Sequence, residues 1–475
     1  DVGAEGLAGA VHVIYGGPGG LSSSGDQVFH QDSDEINGAA EGSDFFGFSL
    51  ASGDFDGDGF DDLAVGVPLE DVGNLTNAGA VQILYGGAGG VSAAGDQLIH
   101  RGTTGVDEAV QAFDVFGRSL GSCDFDGDGR DDLAVGVPFG DVGEDQAGSV
   151  HVLYGGATGL TTAGDQVFHQ DVLVDSAEDT DLFGLSVAGG DFDADGRGDL
   201  AVGVAREGIE SVPVTRAGAV HVIYGSAVGL AAPGNAIFTQ DTPGMNDTAE
   251  EGDQLGQSLA VGDFDGDGFD DVVAGAKNES IGPVESAGAV QILYGGSEGL
   301  SSSGDQVFHQ DTDGMNDTAE DDDNFGLNIV SGDFDGDGFD DLAAGVGLED
   351  LGGTNEGLVQ IIYGTSVGLS SSGDQVFHQD TSGMNDTAEN FDEFGLAVTS
   401  GDFDADGYDD VAAGAPEETV SAGADGAVQA IYGTTAGISS AGDQVFHQNT
   451  LGMNDTAELG DRFGGALVFS TFFND

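Results

Sequence analysis

The strongest constraint on this chain is a set of motifs that returns every 69 or 70 residues. A Tyr-Gly pair ends an apolar run at seven places: Tyr15, Tyr85, Tyr154, Tyr224, Tyr294, Tyr363 and Tyr432. A Gly-Asp-Gln-Val-Phe-His-Gln segment or a variant of it follows each pair, and a Phe-Gly or Leu-Gly pair comes later. Internal periods of this size are typical of propellers and solenoids, whose repeated units bury their apolar faces against one another.

Each period divides into four short β-strands. In the first complete repeat we predict them at 48–51, 63–67, 80–85 and 97–100. β-Branched and aromatic runs of this length, bounded by Gly, Asp and Ser, predict strands rather than helices. The chain is therefore predicted to be all-β: a seven-bladed β-propeller of four-stranded antiparallel blades, with the ring closed by the N- and C-terminal segments.

We predict a single domain over residues 1–475. Six complete repeats lie between about residues 43 and 458, and residues 1–42 with 459–475 are expected to form a split seventh blade. There Asp1-Val2-Gly3 matches residues 71–73, and Phe472 falls where the other copies have their first loop aspartate. Residues 58–70 of the first complete repeat have no counterpart in the split blade, so we expect the second strand of the split blade to be missing. Trimming of the chain, a local rearrangement, or a strand donated by a neighbouring subunit would each account for the gap.

Six of the repeats carry an Asp-rich loop after the first strand. In the first loop Asp54, Asp56, Asp58 and Asp62 occupy positions 1, 3, 5 and 9, and Gly59 at position 6 permits a sharp turn. Ca²⁺ takes six to eight oxygen ligands in a flexible shell, and alternate side chains of a tight loop can turn inward together. The carbonyl at position 7 can add a ligand. The remaining predicted ligands are Phe60; Asp124, Asp126, Asp128, Arg130, Asp132; Asp191, Asp193, Asp195, Arg197, Asp199; Asp263, Asp265, Asp267, Phe269, Asp271; Asp333, Asp335, Asp337, Phe339, Asp341; and Asp402, Asp404, Asp406, Tyr408, Asp410.

Other interpretations of these loops fit less well. An EF-hand requires a glutamate at position 12 and flanking helices, whereas position 12 of the first loop is Val65, inside a predicted strand. Acidic turns that only keep the surface soluble would not retain four carboxylates and the glycine in all six copies. Mg²⁺ is disfavoured because it keeps several of its waters. We therefore expect about six Ca²⁺ sites.

The same residues carry a family resemblance. Phe46-Gly47, the loop from Asp54 to Gly59, and Gly66-Val67-Pro68 together resemble the FG-GAP repeat, and the resemblance covers essentially the whole chain. That repeat builds the seven-bladed head of integrin α subunits and occurs in many microbial surface proteins. The resemblance implies a non-enzymatic, extracellular calcium-binding propeller for adhesion or recognition, with a protein or glycan surface ligand. The chain departs from the family pattern at residues 203–205, 275–277 and 345–347, which lie outside the metal loops.

The charge balance excludes several classes of partner. Asp and Glu number 87 against 8 Lys and Arg, for a formal net charge of −79. Such a surface repels nucleic acid and anionic membranes. It also repels itself unless cations screen it, and at molar salt the screening length falls to about 3 Å. The composition therefore indicates a halophilic archaeon or bacterium. No run approaches the roughly 18 apolar residues of a membrane helix, so we expect no membrane insertion by this chain.

No motif points to catalysis. The chain lacks a Gly-x-Ser-x-Gly nucleophile, a phosphate-binding loop and Cys/His zinc spacing, so we expect no enzyme activity and no catalytic or organic-cofactor residues. Two alternatives to adhesion stay open: a structural subunit of an extracellular filament or surface assembly joined through the incomplete blade, and a lectin-like glycan binder. Asn-x-Ser/Thr sequons would suit N-glycosylation of an exported protein; they lie at Asn74, Asn246, Asn278, Asn316, Asn385 and Asn454.

Overall fold

The structure, a computed structural model, describes residues 2, 5–209, 214–420, 425–458 and 460–470. Within these ranges the chain forms 26 β-strands and one short 3₁₀ helix, Gln170–Val172. No helix in this described part is long and apolar enough to span a bilayer.

Six four-stranded antiparallel sheets follow one another along the described chain, each with its strands in sequence order. This confirms the predicted all-β propeller of four-stranded antiparallel blades. The strands of the six blades are β3 Leu50–Gly53, β4 Asp62–Val67, β5 Ala80–Tyr85 and β6 Ser92–Ile99; β7 Ser119–Cys123, β8 Asp132–Val137, β9 Ser149–Tyr154 and β10 Thr161–Phe168; β11 Ser186–Gly190, β12 Asp199–Val204, β13 Ala219–Tyr224 and β14 Ala231–Phe238; β15 Leu255–Gly262, β16 Asp271–Ala276, β17 Ala289–Tyr294 and β18 Ser301–Phe308; β19 Asn328–Gly332, β20 Asp341–Val346, β21 Leu358–Tyr363 and β22 Ser370–Phe377; and β23 Ala397–Gly401, β24 Asp410–Ala415, β25 Ala427–Tyr432 and β26 Ser439–Phe446.

The strand boundaries differ from the prediction at both edges of a blade. The first strand, β3, begins two residues late because the Phe48 N–H donates to the Phe45 carbonyl in a turn, 3.0 Å away. The outer strand, β6, begins five residues early, since Ser92 pairs with Tyr85 across a bulge. Bulges are hard to foresee because the extra residue breaks the period-two pattern.

The hydrophobic core lies between neighbouring blades. Every residue of β4 and β5 is buried, which explains why these middle strands are mostly apolar on both faces, with Asp62 and Gln82 as their buried polar residues. One core cluster packs Phe55 and Ile83 of the first blade against Phe116 and Val135 of the second. Each blade therefore depends on its neighbours for burial of its apolar faces.

The Phe-Gly pair has a packing role at these junctions. Phe116 is fully buried and forms a parallel bridge with Gly79 of the preceding blade. Gly79 has a φ of +80°, and a Cβ built on it would lie 2.3 Å from the Phe116 backbone nitrogen. Only glycine permits both the left-handed conformation and this close approach. The motif thus joins consecutive blades.

A two-stranded sheet lies between the sixth and first blades. It consists of β1 Val11–Tyr15 and β2 Ser22–Phe29, and we call it, together with residues 463–470, the closing unit. The Gly17 N–H donates to the Phe403 carbonyl of the sixth blade at 3.1 Å. On the other side, the Val91 N–H of the first blade donates to the Tyr15 hydroxyl at 3.1 Å.

The prediction of seven four-stranded blades is not confirmed. The described residues contain six such blades, and β1 and β2 correspond to the third and fourth strands predicted for the split blade. Residues 463–470, predicted to supply its first strand, contain no strand. The matches predicted for Asp1, Gly3 and Phe472 fall on residues outside the described ranges.

The segment 463–470 nevertheless occupies the position next to the inner strand of the first blade. The Ser52 hydroxyl donates to the Phe469 carbonyl at 2.9 Å, as the Ser122 hydroxyl donates to the Ser52 carbonyl at 2.5 Å one blade further on. The Phe469 ring packs against Phe403, with ring centroids 5.6 Å apart. The chain's C-terminal part thus contacts both flanking blades.

Candidate metal centres

The first Asp-rich loop is folded around the carboxylate of Asp54. That carboxylate accepts backbone N–H groups from Gly57 at 2.8 Å, Asp58 at 3.0 Å and Gly59 at 2.9 Å. Gly59 has a φ of +90°, as the sharp turn expected at position 6 requires. One carboxylate oxygen from each of Asp54, Asp56 and Asp58 lies within 4.8 Å of the others.

The aspartate at position 9 comes from the start of the next strand. Asp62 is 1% exposed, and its two carboxylate oxygens accept the N–H groups of Phe55 at 3.0 Å and Gly86 at 2.8 Å. Burial raises the pKa of Asp62 to about 7, with Asp56 and Asp54 adding repulsion. This carboxylate therefore connects the loop to the Tyr-Gly turn of its own blade.

The other five loops share this arrangement. The position-1 carboxylate accepts the N–H groups of positions 5 and 6 in every one of them. In three loops the carboxylates at positions 1, 3 and 9 have oxygens within 4.8 Å of one another: Asp124, Asp126 and Asp132; Asp191, Asp193 and Asp199; and Asp263, Asp265 and Asp271. Burial raises the pKa of the position-9 group to about 7 in Asp132, Asp199 and Asp410, and to about 8 in Asp271 and Asp341.

The residues at position 7 show one feature that the sequence did not indicate. The N–H groups of Phe60, Arg130, Arg197, Phe269, Phe339 and Tyr408 donate to the carboxylate at position 5. In two loops the side chain binds there as well, since Arg130 lies 2.8 Å from Asp128 and Arg197 lies 2.7 Å from Asp195. Each of these half-buried arginines offsets part of the negative charge of its own loop.

The donor set fits a hard cation. Each loop brings together carboxylate oxygens and contains no sulfur or imidazole, which is the ligand chemistry of Ca²⁺. Several of these carboxylates repel one another and are partly desolvated, which raises the pKa of Asp56, for example, through burial and the charge of Asp58. A bound cation would remove that repulsion.

Comparison with known proteins agrees with this architecture. The FG-GAP repeat model matches six segments, residues 46–84, 116–153, 183–223, 255–293, 325–362 and 394–431. The chain belongs to the FG-GAP repeat family. Each matched segment begins at a Phe-Gly or Leu-Gly pair and includes one Asp-rich loop.

Integrin α subunits are among the similar proteins. Integrin alpha-PS2 of Drosophila melanogaster is 31% identical over 274 residues, which cover 55% of this chain and 17% of that protein. Integrin alpha-5 of Xenopus laevis is 37% identical over 164 residues, 34% of this chain and 14% of the relative. Phosphatidylinositol-glycan-specific phospholipase D of Rattus norvegicus is 31% identical over 180 residues, which cover 38% of this chain and 20% of that protein. The chain thus spans a fifth or less of the length of these three relatives.

The FG-GAP loops are also linked to one another, through an aspartate at position 8. The Asp131 carboxylate accepts the backbone N–H of Asp54, in the preceding loop, at 2.9 Å, and the Asp131 N–H donates back to the Asp54 carbonyl at 3.1 Å. The same reciprocal pair joins Asp270 to Asp191, Asp340 to Asp263 and Asp409 to Asp333. The sequence prediction missed this role, although five of the six loops carry an aspartate at position 8 and only Gly198 differs.

The repeated sequons have a structural role in the FG-GAP propeller. The side-chain nitrogen of Asn246 donates to the Asp305 carbonyl of the following blade at 2.6 Å, and Asn316, Asn385 and Asn454 make the equivalent contact. These nitrogens would have to leave their partners to carry a glycan. Asn278 is partly buried and donates to the Gly252 carbonyl at 3.1 Å, and the other five asparagines are exposed. N-Glycosylation therefore stays a prediction.

Proposed function

We propose that this FG-GAP propeller is a non-enzymatic, calcium-binding module for recognition or adhesion at the cell surface, outside the cell. The observation that carries the proposal is the set of six Asp-rich loops with one shared geometry, in a chain similar to integrin α subunits. The proposed ligands are the carboxylates at positions 1, 3, 5 and 9 and the carbonyl at position 7 of each loop. About six Ca²⁺ ions would be bound.

Calcium would act on the fold and not on a substrate. Each loop joins the first two strands of its blade, and the position-8 aspartate connects most loops to the preceding one. Four carboxylates in one loop repel each other strongly without a cation, so an ion would stabilise the loop and, through it, the blade junction. The high net negative charge of −79 supports the same view, because cations in general oppose this self-repulsion. A halophilic source would suit that charge.

The ligand surface is proposed at the end of the propeller opposite the Asp-rich loops. Strands alternate in direction, so the loops after the second and fourth strands of each blade lie at that end. A cleft of about 370 Å³ there includes Phe48 and Phe113, which are 40% and 59% exposed. The Arg118 guanidinium lies 4.4 Å from the centre of the Phe48 ring. Exposed aromatic residues and arginine are enriched at the centres of protein interfaces.

A second candidate function is a subunit of a surface assembly. It is favoured by the closing unit, whose sheet has two strands in the described residues where the blades have four. A strand from a neighbouring copy could extend such a sheet by β-augmentation. Sedimentation at increasing protein concentration, with Ca²⁺ present, separates the two candidates: a constant particle mass supports the recognition module, and growth with concentration supports the assembly.

The recognition proposal is tested by screening the chain against arrays of glycans and of extracellular-matrix proteins. We expect binding in Ca²⁺ that is lost in EDTA and that falls at least tenfold for Phe113→Ser. Val367→Ser is the matched control, since Val367 is also an exposed apolar residue (80%) but does not line the cleft. Equal binding by both variants would place the ligand elsewhere, and binding that persists in EDTA would remove calcium from the mechanism.

A further inference from the structure

A second type of polar cluster lies at the end of the propeller opposite the FG-GAP loops. We call one example the Gln240 cluster; its members are Gln240, Asp247, Glu250, Asp253 and Glu279. Gln240 follows the outer strand β14, Glu279 follows β16, and the other three belong to the loop before β15. One carboxylate oxygen from each of Glu250, Asp253 and Glu279 lies within 4.8 Å of the others. Gln240, Asp253 and Glu279 are 2%, 2% and 5% exposed.

Only one of the two polar atoms of the Gln240 side chain has hydrogen-bond partners among the described residues. Its amide nitrogen donates to Glu279 at 2.8 Å and to Asp247 at 3.1 Å, whereas its buried Oε1 has no hydrogen-bond partner among the described residues. Buried carbonyl oxygens are normally hydrogen-bonded, so an unpartnered one on a side chain that contacts two carboxylates is consistent with a missing positive partner. The arrangement recurs: Gln310 and Gln379 donate to Glu349 and Glu418 and have the same unpartnered oxygen.

One repeat replaces this arrangement with an internal cation. Arg101 stands where the other repeats have the glutamine, and its guanidinium lies 2.9 Å from Asp114 and 2.5 Å from Glu108. Two carboxylates are absent in the same repeat, because Gln111 replaces the residue equivalent to Glu250 and Gly140 replaces the one equivalent to Glu279. The Arg101 side chain is 2% exposed. Where the chain supplies its own positive charge, it therefore carries fewer negative ones.

We infer that the Gln240 cluster and its counterparts at Gln310 and Gln379 bind Ca²⁺, as a second set of sites distinct from the FG-GAP loops, and that Arg101 takes the place of the ion in its repeat. The donors are carboxylates and an amide carbonyl, all oxygen ligands of the kind Ca²⁺ prefers. Buried carboxylates are strongly unfavourable unless a cation pairs with them. Burial and the neighbouring carboxylates Asp247 and Asp253 raise the pKa of Glu279 to about 8, in line with that repulsion.

The chain itself suggests a matched pair of variants. Gln240→Arg with Glu279→Gly transfers the internal cation into the Gln240 cluster, and Arg101→Gln with Gly140→Glu does the reverse. A Cβ built on Gly140 lies 3.3 Å from the Arg101 guanidinium, a contact that the reverse variant removes. Equilibrium dialysis of the full chain with radioactive calcium measures the bound Ca²⁺ per chain. We expect one ion fewer in the first variant and one ion more in the second.

The experiment separates this inference from the proposed function. Asp263→Asn with Asp265→Asn removes two ligands of an FG-GAP loop in the same blade, and should abolish that loop's ion whether or not the Gln240 cluster binds one. Unchanged stoichiometry in both double variants, with circular dichroism showing that they are folded, would mean that the cluster shares protons and binds no metal. If the first variant does not fold, the second decides, because it adds a site to a repeat that is stable without one.

Discussion

The junction between two complete blades and the junction with the closing unit both pack a side chain against a glycine, but the two side chains differ in chemistry. Between the fifth and sixth blades, Asp409 covers Gly332, and a Cβ built on that glycine would lie 2.8 Å from the Asp409 carboxylate. At the corresponding Gly401, the ring of Phe469 takes the place of the aspartate, 2.1 Å from a built Cβ. Glycine is needed at both positions, but one partner is a charged residue and the other is aromatic.

The difference shows what each junction depends on. The Asp409 carboxylate accepts the N–H of Asp333 and so connects two Asp-rich loops. Phe469 instead joins a core with Phe403, and that core has four buried hydrophobic residues in the described part of the chain, whereas every other core cluster has at least eleven. The blades should therefore respond to cations, and the closing unit to the loss of apolar contacts.

Removal of calcium should lower the stability of the propeller more than any of the substitutions below. At a hundredfold excess over the dissociation constant, each loop ion would add about 2.7 kcal/mol to the free energy of unfolding. Six such contributions are comparable with a typical folding free energy of about 5–15 kcal/mol. We expect EDTA at low ionic strength to lower Tm sharply, as measured by circular dichroism, and Ca²⁺ to restore it. An unchanged Tm would contradict calcium binding at the loops.

Truncation of the aromatic residue in the closing unit should have the next largest effect. Phe469→Ala removes the ring that packs on Gly401 and Phe403, and buried Phe→Ala changes are worth about 3–5 kcal/mol, so we expect about 3 kcal/mol for this partly exposed ring. Urea unfolding in saturating Ca²⁺ measures it. Val367→Ala, at an 80% exposed position, should stay within about 0.5 kcal/mol. A similarly small change for Phe469→Ala would show that the closing unit does not support the ring.

The third loop allows the polar junction to be rebuilt. Its position 8 is Gly198, against which Cys123 packs, and a Cβ built on Gly198 would lie 2.3 Å from the Cys123 sulfur. Gly198→Asp alone should therefore destabilise the protein, while Cys123→Gly with Gly198→Asp recreates the residue pair of the other junctions. We expect a favourable coupling of about 1–3 kcal/mol in a double-mutant cycle measured by urea unfolding. Strictly additive effects would contradict the proposed link between loops.

The smallest expected effect compares two equivalent serines. Ser52 donates to Phe469 of the closing unit and Ser122 donates to Ser52 of a complete blade. Each hydrogen bond is worth about 1 kcal/mol, so Ser52→Ala and Ser122→Ala should shift the urea midpoint by similar amounts. A clearly smaller shift for Ser52→Ala would show that residues 463–470 do not hold the position of an inner strand.

Much of the fold was predictable because its determinants are local. The four-strand period, the Asp-rich loops and the need for glycine at Gly59 all depend on residues within a few positions of each other. The bulge before Ser92 and the turn at Phe48 were not predicted, because the hydrophobic pattern does not record an extra residue in a ladder. In the candidate metal centres, the sequence brought together the carboxylates of one loop but gave no partner for the aspartate at position 8.

The sequence by itself determined the all-β repeat, the family and the residues of each FG-GAP loop, since loop geometry depends on neighbouring residues and their backbone preferences. Only the tertiary structure decided which residues meet across a junction. Asp131 reaches Asp54, Phe469 covers Gly401, and Gln240 meets Glu279 across separations of 77, 68 and 39 residues. Those contacts depend on how consecutive blades pack, and packing between distant segments leaves no local pattern in the sequence.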